Sequence, residues 1–256
     1  MAPATNSGPR EWDAVNYQRV SVPHEEWAEA LMERLPLRGD EAVLDAGCGT
    51  GRVTRMLAER LPEGRVVAVD GSVAMVEKVR EVLRPQDEAF VADLVELELP
   101  KPVDAIVSSA VFHWIRDHDT LFARMWAALK PGGRLAAQCG GAGNIDELRE
   151  TTREVAAREP YAAHLHGHDE PWLYAGAGET EARLAAAGFG QVRCWLQPWD
   201  VTPPEPFEFL RTICLAPYLD PLPEELRAPF VNDVLAAEPE PLCLRYVRLN
   251  IEAVAA

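Results

Sequence analysis

The stretch Val43 to Gly51, VLDAGCGTG, decides how the rest of the chain reads. A short apolar run ending in an acid is followed by glycines at alternate positions, Gly47, Gly49 and Gly51. A turn of this kind from strand to helix is where nucleotide-like ligands lie against the backbone, because glycine lacks the Cβ that would hold them off. A dinucleotide pyrophosphate calls for GxGxxG, and the spacing GxGxG misses by one position. A phosphate loop needs Lys followed by Ser or Thr, and this chain continues RVTRM instead. A tight turn alone accounts for one glycine and leaves two unexplained. An adenosyl ligand bearing an amino-acid tail would use all three, the tail lying on the main chain.

The acids around the turn suit that ligand. Asp45, at the end of the first strand, is placed for the tail's ammonium group. Asp70 ends the second strand 19 residues beyond Gly51, where its two oxygens can accept from both ribose hydroxyls. A carboxylate there also argues against a 2′-phosphorylated cofactor. Asp93 ends the third strand and can accept from an adenine amino group.

Outward from the turn, short β-branched runs alternate with amphipathic segments, as in βα units of a parallel sheet. Strands are expected at 42–46, 65–70, 88–93, 103–110 and 133–140, with helices at 50–61, 72–83 and 118–129 between them. Pro62, Pro85 and KPGG (130–133) mark the helix ends. A covering helix precedes the first strand (23–35), with Pro23 suited to its first turn. Helices at 145–158, 179–187, 205–215 and 223–237 and strands at 191–199 and 245–255 complete the chain. Right-handed crossovers bring the strand C-termini to one edge, where ligands bind. If 191–199 runs parallel to the fifth strand, the segments 141–177 and 200–244 both leave that edge. They then form either a helical lid over the site or surface elaborations without a role.

Five stretches together, VLDAGCGTG, VVAVDGS, FVADL, VDAIVSSAVFHW and LKPGGRL, resemble the motif series of class I S-adenosylmethionine-dependent methyltransferases, over about residues 40–140. The resemblance implies an α/β, doubly wound, mostly parallel seven-stranded sheet of Rossmann-like type, with 191–199 and 245–255 as its sixth and seventh strands, the last antiparallel. It implies one domain over 1–256: an N-terminal arm and covering helix (1–36), a cofactor-binding core (40–140), and the two insertions. It implies S-adenosyl-L-methionine as cofactor, held by Tyr17, Asp45, Gly47, Cys48, Gly49, Gly51, Asp70, Gly71, Met75, Asp93, Leu94 and Ser109. The flanks, YQRV, FHWIRDHDTLF, FLRTICLAPYLDPLPEELRAPFV and YVRLNIEAVA, are similar to the trans-aconitate 2-methyltransferase-like group, which methylates small carboxylic acids. That group has Gln-Trp where this chain has His113-Trp114, at a position facing the transferred methyl. O-methylation of a carboxylic acid is the activity implied; methylation of a natural-product intermediate, or a cofactor-binding partner without catalysis, are the alternatives.

A carboxylate acceptor needs no base, whereas a phenol, amine or enol carbon does, and His113 is the candidate. Its other readings are a ring lining the site or one bonded to backbone. Trp114 is a wall of the acceptor site or a core residue. Trp12 and Tyr17 could close over the sulfonium, where an aromatic face attracts a cation. Arg211 could fix an acidic acceptor through a bidentate contact, or belong to a surface ion pair. His164, His166 and His168 alternate and would share a face on a strand, but they stand in a loop without accompanying cysteines, so no metal is expected.

Composition bounds the rest. Apolar residues make up 48% of the chain and charged residues 26%, an ordinary globular balance. The formal charge of −16 disfavours nucleic-acid partners, since phosphate backbones are bound by Lys and Arg. No signal peptide or apolar span of membrane length is evident, so a cytoplasmic location with a small-molecule acceptor and no membrane partner is expected. Cys48, Cys139, Cys194, Cys214 and Cys243 are odd in number and widely spaced, as reduced, buried thiols would be. Oligomeric state is not legible.

Overall fold

The computed structural model of the chain describes Glu11 and residues 23–256. Helix α1 (Pro23–Glu33) is followed by β1 (Ala42–Ala46), α2 (Arg52–Arg60), β2 (Arg65–Asp70), α3 (Val73–Val79), β3 (Glu88–Val91), β4 (Val103–Ser109), α4 (His118–Ala128) and β5 (Leu129–Gly140). Then come α5 (Asp146–Ala156), α6 (Ala162–Leu165), α7 (Ala177–Ala187), β6 (Phe189–Val201), α8 (Pro206–Phe209), α9 (Ala216–Leu219), α10 (Glu224–Ala237) and β7 (Leu244–Ala255). The seven strands form one sheet in the order β3-β2-β1-β4-β5-β7-β6. β7 runs antiparallel to both neighbours, so β6 is parallel to β5, and the segment after β6 leaves the same edge as the segment after β5.

The interior strands β1, β2 and β4 are nearly continuous apolar runs because they are covered on both faces. Successive residues face opposite layers: Leu44 packs with Ile106, Phe122 and Leu184 under α4 and α7, while Val43 packs with Leu31 and Leu57 under α1 and α2. The insertions build a further apolar layer, in which Leu148, Phe209, Tyr218 and Phe230 meet Trp27 of α1. Tyr161 donates to Asp233 at 2.6 Å, and Tyr218 to Glu170 at 2.7 Å, so the two insertions are bonded to one another.

Several boundaries differ from the sequence expectation for local reasons. β3 stops at Val91, although the Ala92 amide still donates to the Asp70 carbonyl, and Asp93 lies in the turn beyond. The helix expected at 72–83 is α3, capped by Ser72 whose Oγ accepts from the Met75 amide, and then a 3-10 turn at Arg80–Val82. β5 begins at Leu129, which pairs with Val103, and the KPGG segment is looped out before pairing resumes between Ala105 and Arg134. The helix expected at 205–215 is broken: α8 passes into a π-helical turn at Leu210–Cys214, where the Leu215 amide donates to the Leu210 carbonyl at 2.7 Å. Cys48, Cys139, Cys194 and Cys214 are buried thiols, but Cys243 is exposed, against expectation. Among the described residues no helix is long and apolar enough to cross a membrane.

Candidate active site

The strand order reverses between β1 and β4, and the glycine turn sits at that switch point. The amides of Gly47 and Cys48 both donate to the Val69 carbonyl, at 2.7 and 2.9 Å, tying the turn to β2. Gly47 has φ +81°, and a Cβ there would stand 2.2 Å from a Val111 methyl, so the position demands glycine for packing. Gly49 differs: its φ is +51°, but a Cβ there would meet nothing within 4 Å. Gly51 caps α2. Asp70 accepts from the Gly49 amide through Oδ2 and from the Ser72 amide through Oδ1, each at 2.9 Å. The carboxylate therefore holds the turn as well as facing it, and each oxygen keeps further acceptor capacity. Burial raises the Asp70 pKa, against the lowering effect of these two amides.

Asp45 is buried. Its Oδ2 accepts from Thr54 Oγ at 2.6 Å, while Oδ1 has no hydrogen-bond partner among the described residues. Burial raises its pKa to about 7. A buried acceptor left unmade costs about 1–3 kcal/mol, so this oxygen marks a place for a donor. Of the other residues expected to hold the cofactor, Cys48, Met75 and Leu94 are buried, whereas Gly71, Asp93 and Ser109 are half-buried. Asp93 accepts the Val95 amide through Oδ1 at 3.1 Å. Glu11 reaches the same loop, its carboxylate accepting from Ser72 Oγ at 2.7 Å and the Val73 amide at 3.0 Å. Tyr17 and Trp12 lie outside the described residues.

Beyond the end of β4 opens a pocket lined by residues of the sheet edge, α1 and both insertions. Ala110, in the left-handed region at φ 61°, and the 3-10 turn Phe112–Trp114 bring His113 and Trp114 into its wall. His113 is buried, its ring 5.4 Å from that of Trp114 and 5.7 Å from that of Tyr174. Its Nδ1 accepts from the Gly140 amide at 3.3 Å. A backbone N–H can only donate, so neutral His113 carries its proton on Nε2. Trp172 stacks on Tyr174 at an interplanar angle of 6° and meets Trp114 at 5.6 Å. Arg248 of β7 also lines the cavity, with Nε donating to Gln138 Oε1 at 2.7 Å and the guanidinium 4.1 Å above the Trp27 ring. Gln138 in turn donates to the Trp27 carbonyl at 3.0 Å.

A family model described as a methyltransferase domain matches residues 43–133. The trans-aconitate 2-methyltransferase of Methylobacterium nodulans is 32% identical over 236 residues, 89% of this chain and 88% of that protein. That of Azoarcus sp. is 34% identical over 223 residues, 84% of each. The chain belongs to the trans-aconitate 2-methyltransferase family. It is an S-adenosylmethionine-dependent methyltransferase. The YcgJ protein of Bacillus subtilis shares the fold with a TM-score of 0.62 at 14% identity, over 91% of this chain and 99% of that one. The Haemonchus contortus phosphoethanolamine N-methyltransferase 2 in complex with S-adenosyl-L-methionine aligns with a TM-score of 0.60 at 18% identity, over 94% of this chain and 56% of that one. The residues present fit the cofactor: the partnerless Asp45 oxygen suits an ammonium donor, and the space over Gly49 suits a ligand tail.

For this member of the trans-aconitate 2-methyltransferase family, one expected substrate contact needs correction. Arg211 is exposed, does not line the cavity, and pairs with Glu208 at 3.1 Å, because the π-helical turn carries Ile213 and Cys214 to the cavity instead. Among the described residues the cation in the cavity wall is Arg248, which sequence reasoning missed. Its signal was the period of two in YVRLN, where Tyr246, Arg248 and Asn250 share one buried face of a strand. The histidines of 164–168 occupy a helical turn and loop rather than a strand, with His164 and His166 exposed and His168 against Tyr218 at 4.6 Å. Among the described residues no group of His, Cys, Asp and Glu is arranged to hold a metal.

Proposed function

We propose that this enzyme methylates a carboxylate oxygen of a small organic acid. When bound, S-adenosylmethionine supplies an electrophilic methyl group on a sulfonium. Asp45, with Gly47 and Gly49, would receive the amino-acid tail; Asp70 would accept from the ribose hydroxyls, and Asp93, Leu94 and Met75 would border the adenine. A carboxylate lone pair then forms the C–O bond as the C–S bond breaks toward sulfur, and no proton has to leave the acceptor. Positioning and exclusion of water supply the rate.

The observation that carries this reading is the bond from the Gly140 amide to His113 Nδ1. It commits the imidazole to donating from Nε2, which suits holding an anion and does not suit taking a proton from a phenol. The same argument accounts for the family's Gln at this position, since an amide nitrogen is also a donor. The test is methyl transfer to a panel of acids and phenols, with the product identified by alkali: an ester releases methanol, an ether or methylamine does not. Activity confined to phenols or amines would overturn the reading.

A further inference from the structure

Resting on the acid-acceptor reading above, we infer that the hydroxyls of Tyr174 and Tyr246 receive a second carboxylate of the acceptor, one that is not methylated, and so decide which acids the enzyme takes. Buried phenols normally find a good hydrogen-bond partner, and the described tyrosines divide on that point. Tyr161 and Tyr218 stand outside the pocket lining and donate to protein carboxylates, Asp233 at 2.6 Å and Glu170 at 2.7 Å. Tyr174 and Tyr246 line the pocket, and among the described residues neither has such an acceptor. Tyr246 Oη meets Cys214 Sγ at 3.5 Å, and a thiol is a weak partner in either direction. Tyr174 is on the receiving end of a bond. The Val247 amide donates to Asn144 Oδ1 at 3.0 Å, which leaves the Asn144 Nδ2 group to donate to Tyr174. The Tyr174 oxygen thus accepts, and its own proton is directed to no acceptor among the described residues.

The two hydroxyls are held in place before any ligand arrives. Tyr174 precedes Ala175, which is bridged to Gly141 and accepts from the Ala142 amide at 2.9 Å. Tyr246 lies in β7 opposite Trp199, its ring 5.2 Å from that of Trp27. Gly140 joins this pair to His113: its amide bonds the imidazole, and a Cβ on it would stand 2.6 Å from the Tyr174 ring. The spot for the second carboxylate is therefore beside the spot for the first. Burial raises both tyrosine pKa values, so each phenol keeps the proton it donates. Bonds from O–H to a carboxylate are roughly twice as strong as neutral ones, and an ionised group taken from water needs them. Arg248, two residues along the same face of β7 and already engaged by Gln138 and Trp27, adds its positive field to an anion held there. A methyl group in the same place would leave both phenols without that acceptor, which is how a site rejects an analogue lacking a polar group.

The experiment compares methylation of tricarballylate, glutarate and pentanoate, which share a five-carbon chain and lose one carboxylate at each step, by wild type, Tyr174→Phe and Tyr246→Phe. We expect kcat/KM for the better of the two polyacids to exceed that for pentanoate by at least a hundredfold. Each variant deletes a hydroxyl and keeps its ring. Each should raise the KM for that polyacid at least tenfold and lower the ratio of polyacid to pentanoate kcat/KM at least tenfold, whereas a tyrosine that only supports the fold would lower both acids together and leave the ratio alone. Where turnover is slow, calorimetric titration of tricarballylate onto enzyme loaded with S-adenosylhomocysteine reads the same step, and should show binding at least tenfold weaker in each variant. Pentanoate equal to the polyacids overturns the second carboxylate, and an unchanged ratio or an unchanged tricarballylate affinity in both variants overturns the assignment to the tyrosines. Methylation of phenols alone, with no acid turned over, is the separate failure of the acid reading, and the inference falls with it.

Discussion

The amide of Gly140 donates to Nδ1 of the buried His113, whose ring lies beside those of Trp114 and Tyr174. This bond decides which of the two ring nitrogens can do chemistry. Reversing the tautomer would set one N–H against another, so Nε2 remains a donor while the ring is neutral.

His113→Gln should therefore keep activity within about threefold, because the amide restores a donor. His113→Ala should lose about tenfold in kcat/KM, or roughly 1.4 kcal/mol. Neither variant, nor wild type, should show a rate that rises through an imidazole pKa between pH 6 and 8. Steady-state pH profiles decide it: a loss of the order of 10²–10⁴ in His113→Ala, with a sloping wild-type profile, would make the histidine a base.

Asp45 ties cofactor binding to pH. Its pKa is pushed up to about 7 by burial, and only the ionised form attracts an ammonium group. Affinity for S-adenosylmethionine should fall more than tenfold between pH 7 and pH 5, a loss that Asp45→Asn removes along with most of the affinity at pH 7. Without cofactor the linkage runs the other way. The folded protein keeps the Asp45 proton between pH 4 and 7 while the unfolded chain has released it, so this group's contribution to stability is present at low pH and lost as pH rises through about 7. Calorimetric titration and melting curves of wild type against Asp45→Asn measure the two effects; parallel curves would mean that Asp45 does not titrate in this range.

The glycines of the turn should separate into two kinds. Gly47→Ala drives a Cβ into Val111, and should cost more than 3 kcal/mol of stability. Gly49→Ala should fold with a penalty of about 1 kcal/mol for its left-handed backbone, yet bind S-adenosylmethionine at least tenfold more weakly, since the methyl projects into open space kept for the ligand. Denaturation paired with binding titration reads both. Tight binding by Gly49→Ala would take that position out of the cofactor site.

Glu170 is the clasp between the insertions, accepting from Arg149, Arg153 and Tyr218. Its pKa is held below the usual carboxylate range by those donors, against burial. Glu170→Gln should accelerate hydrogen exchange in 145–177 and 205–237 together while leaving β1, β2 and β4 protected. A change confined to one segment would mean that the insertions open separately.

Strands β1, β2 and β4 were legible because a strand buried on both faces is written as a continuous apolar run. The acids at strand ends were legible because parallel βα units bring every such end to one edge. That Asp70 also braces the turn was not, since its bonds to the Gly49 and Ser72 amides depend on loop curvature no spacing records. Arg211 misled because an arginine on an expected helix over the site looks available. The π-helical turn that rotates it outward arises from an i to i+5 bond with no residue signature. Arg248 was readable in principle, as a charge on the apolar face of a strand, but its meaning rests on Gln138, distant by 110 residues.

Trp27 and Leu31 stand one helical turn apart on α1, yet they belong to different apolar layers: Trp27 to the one built by the insertions, Leu31 to the one beneath β1. The side chains that shape the acceptor cavity are thus not those that support Gly47 and Asp70. A mutation that re-lines the chamber at Trp172 or Ile213 falls within the layer built by the insertions, and changes in well-separated sites add rather than compound. Descendants of such a chain can drift from one acid to another, one substitution at a time, without ever passing through an ancestor that has lost its methyl donor.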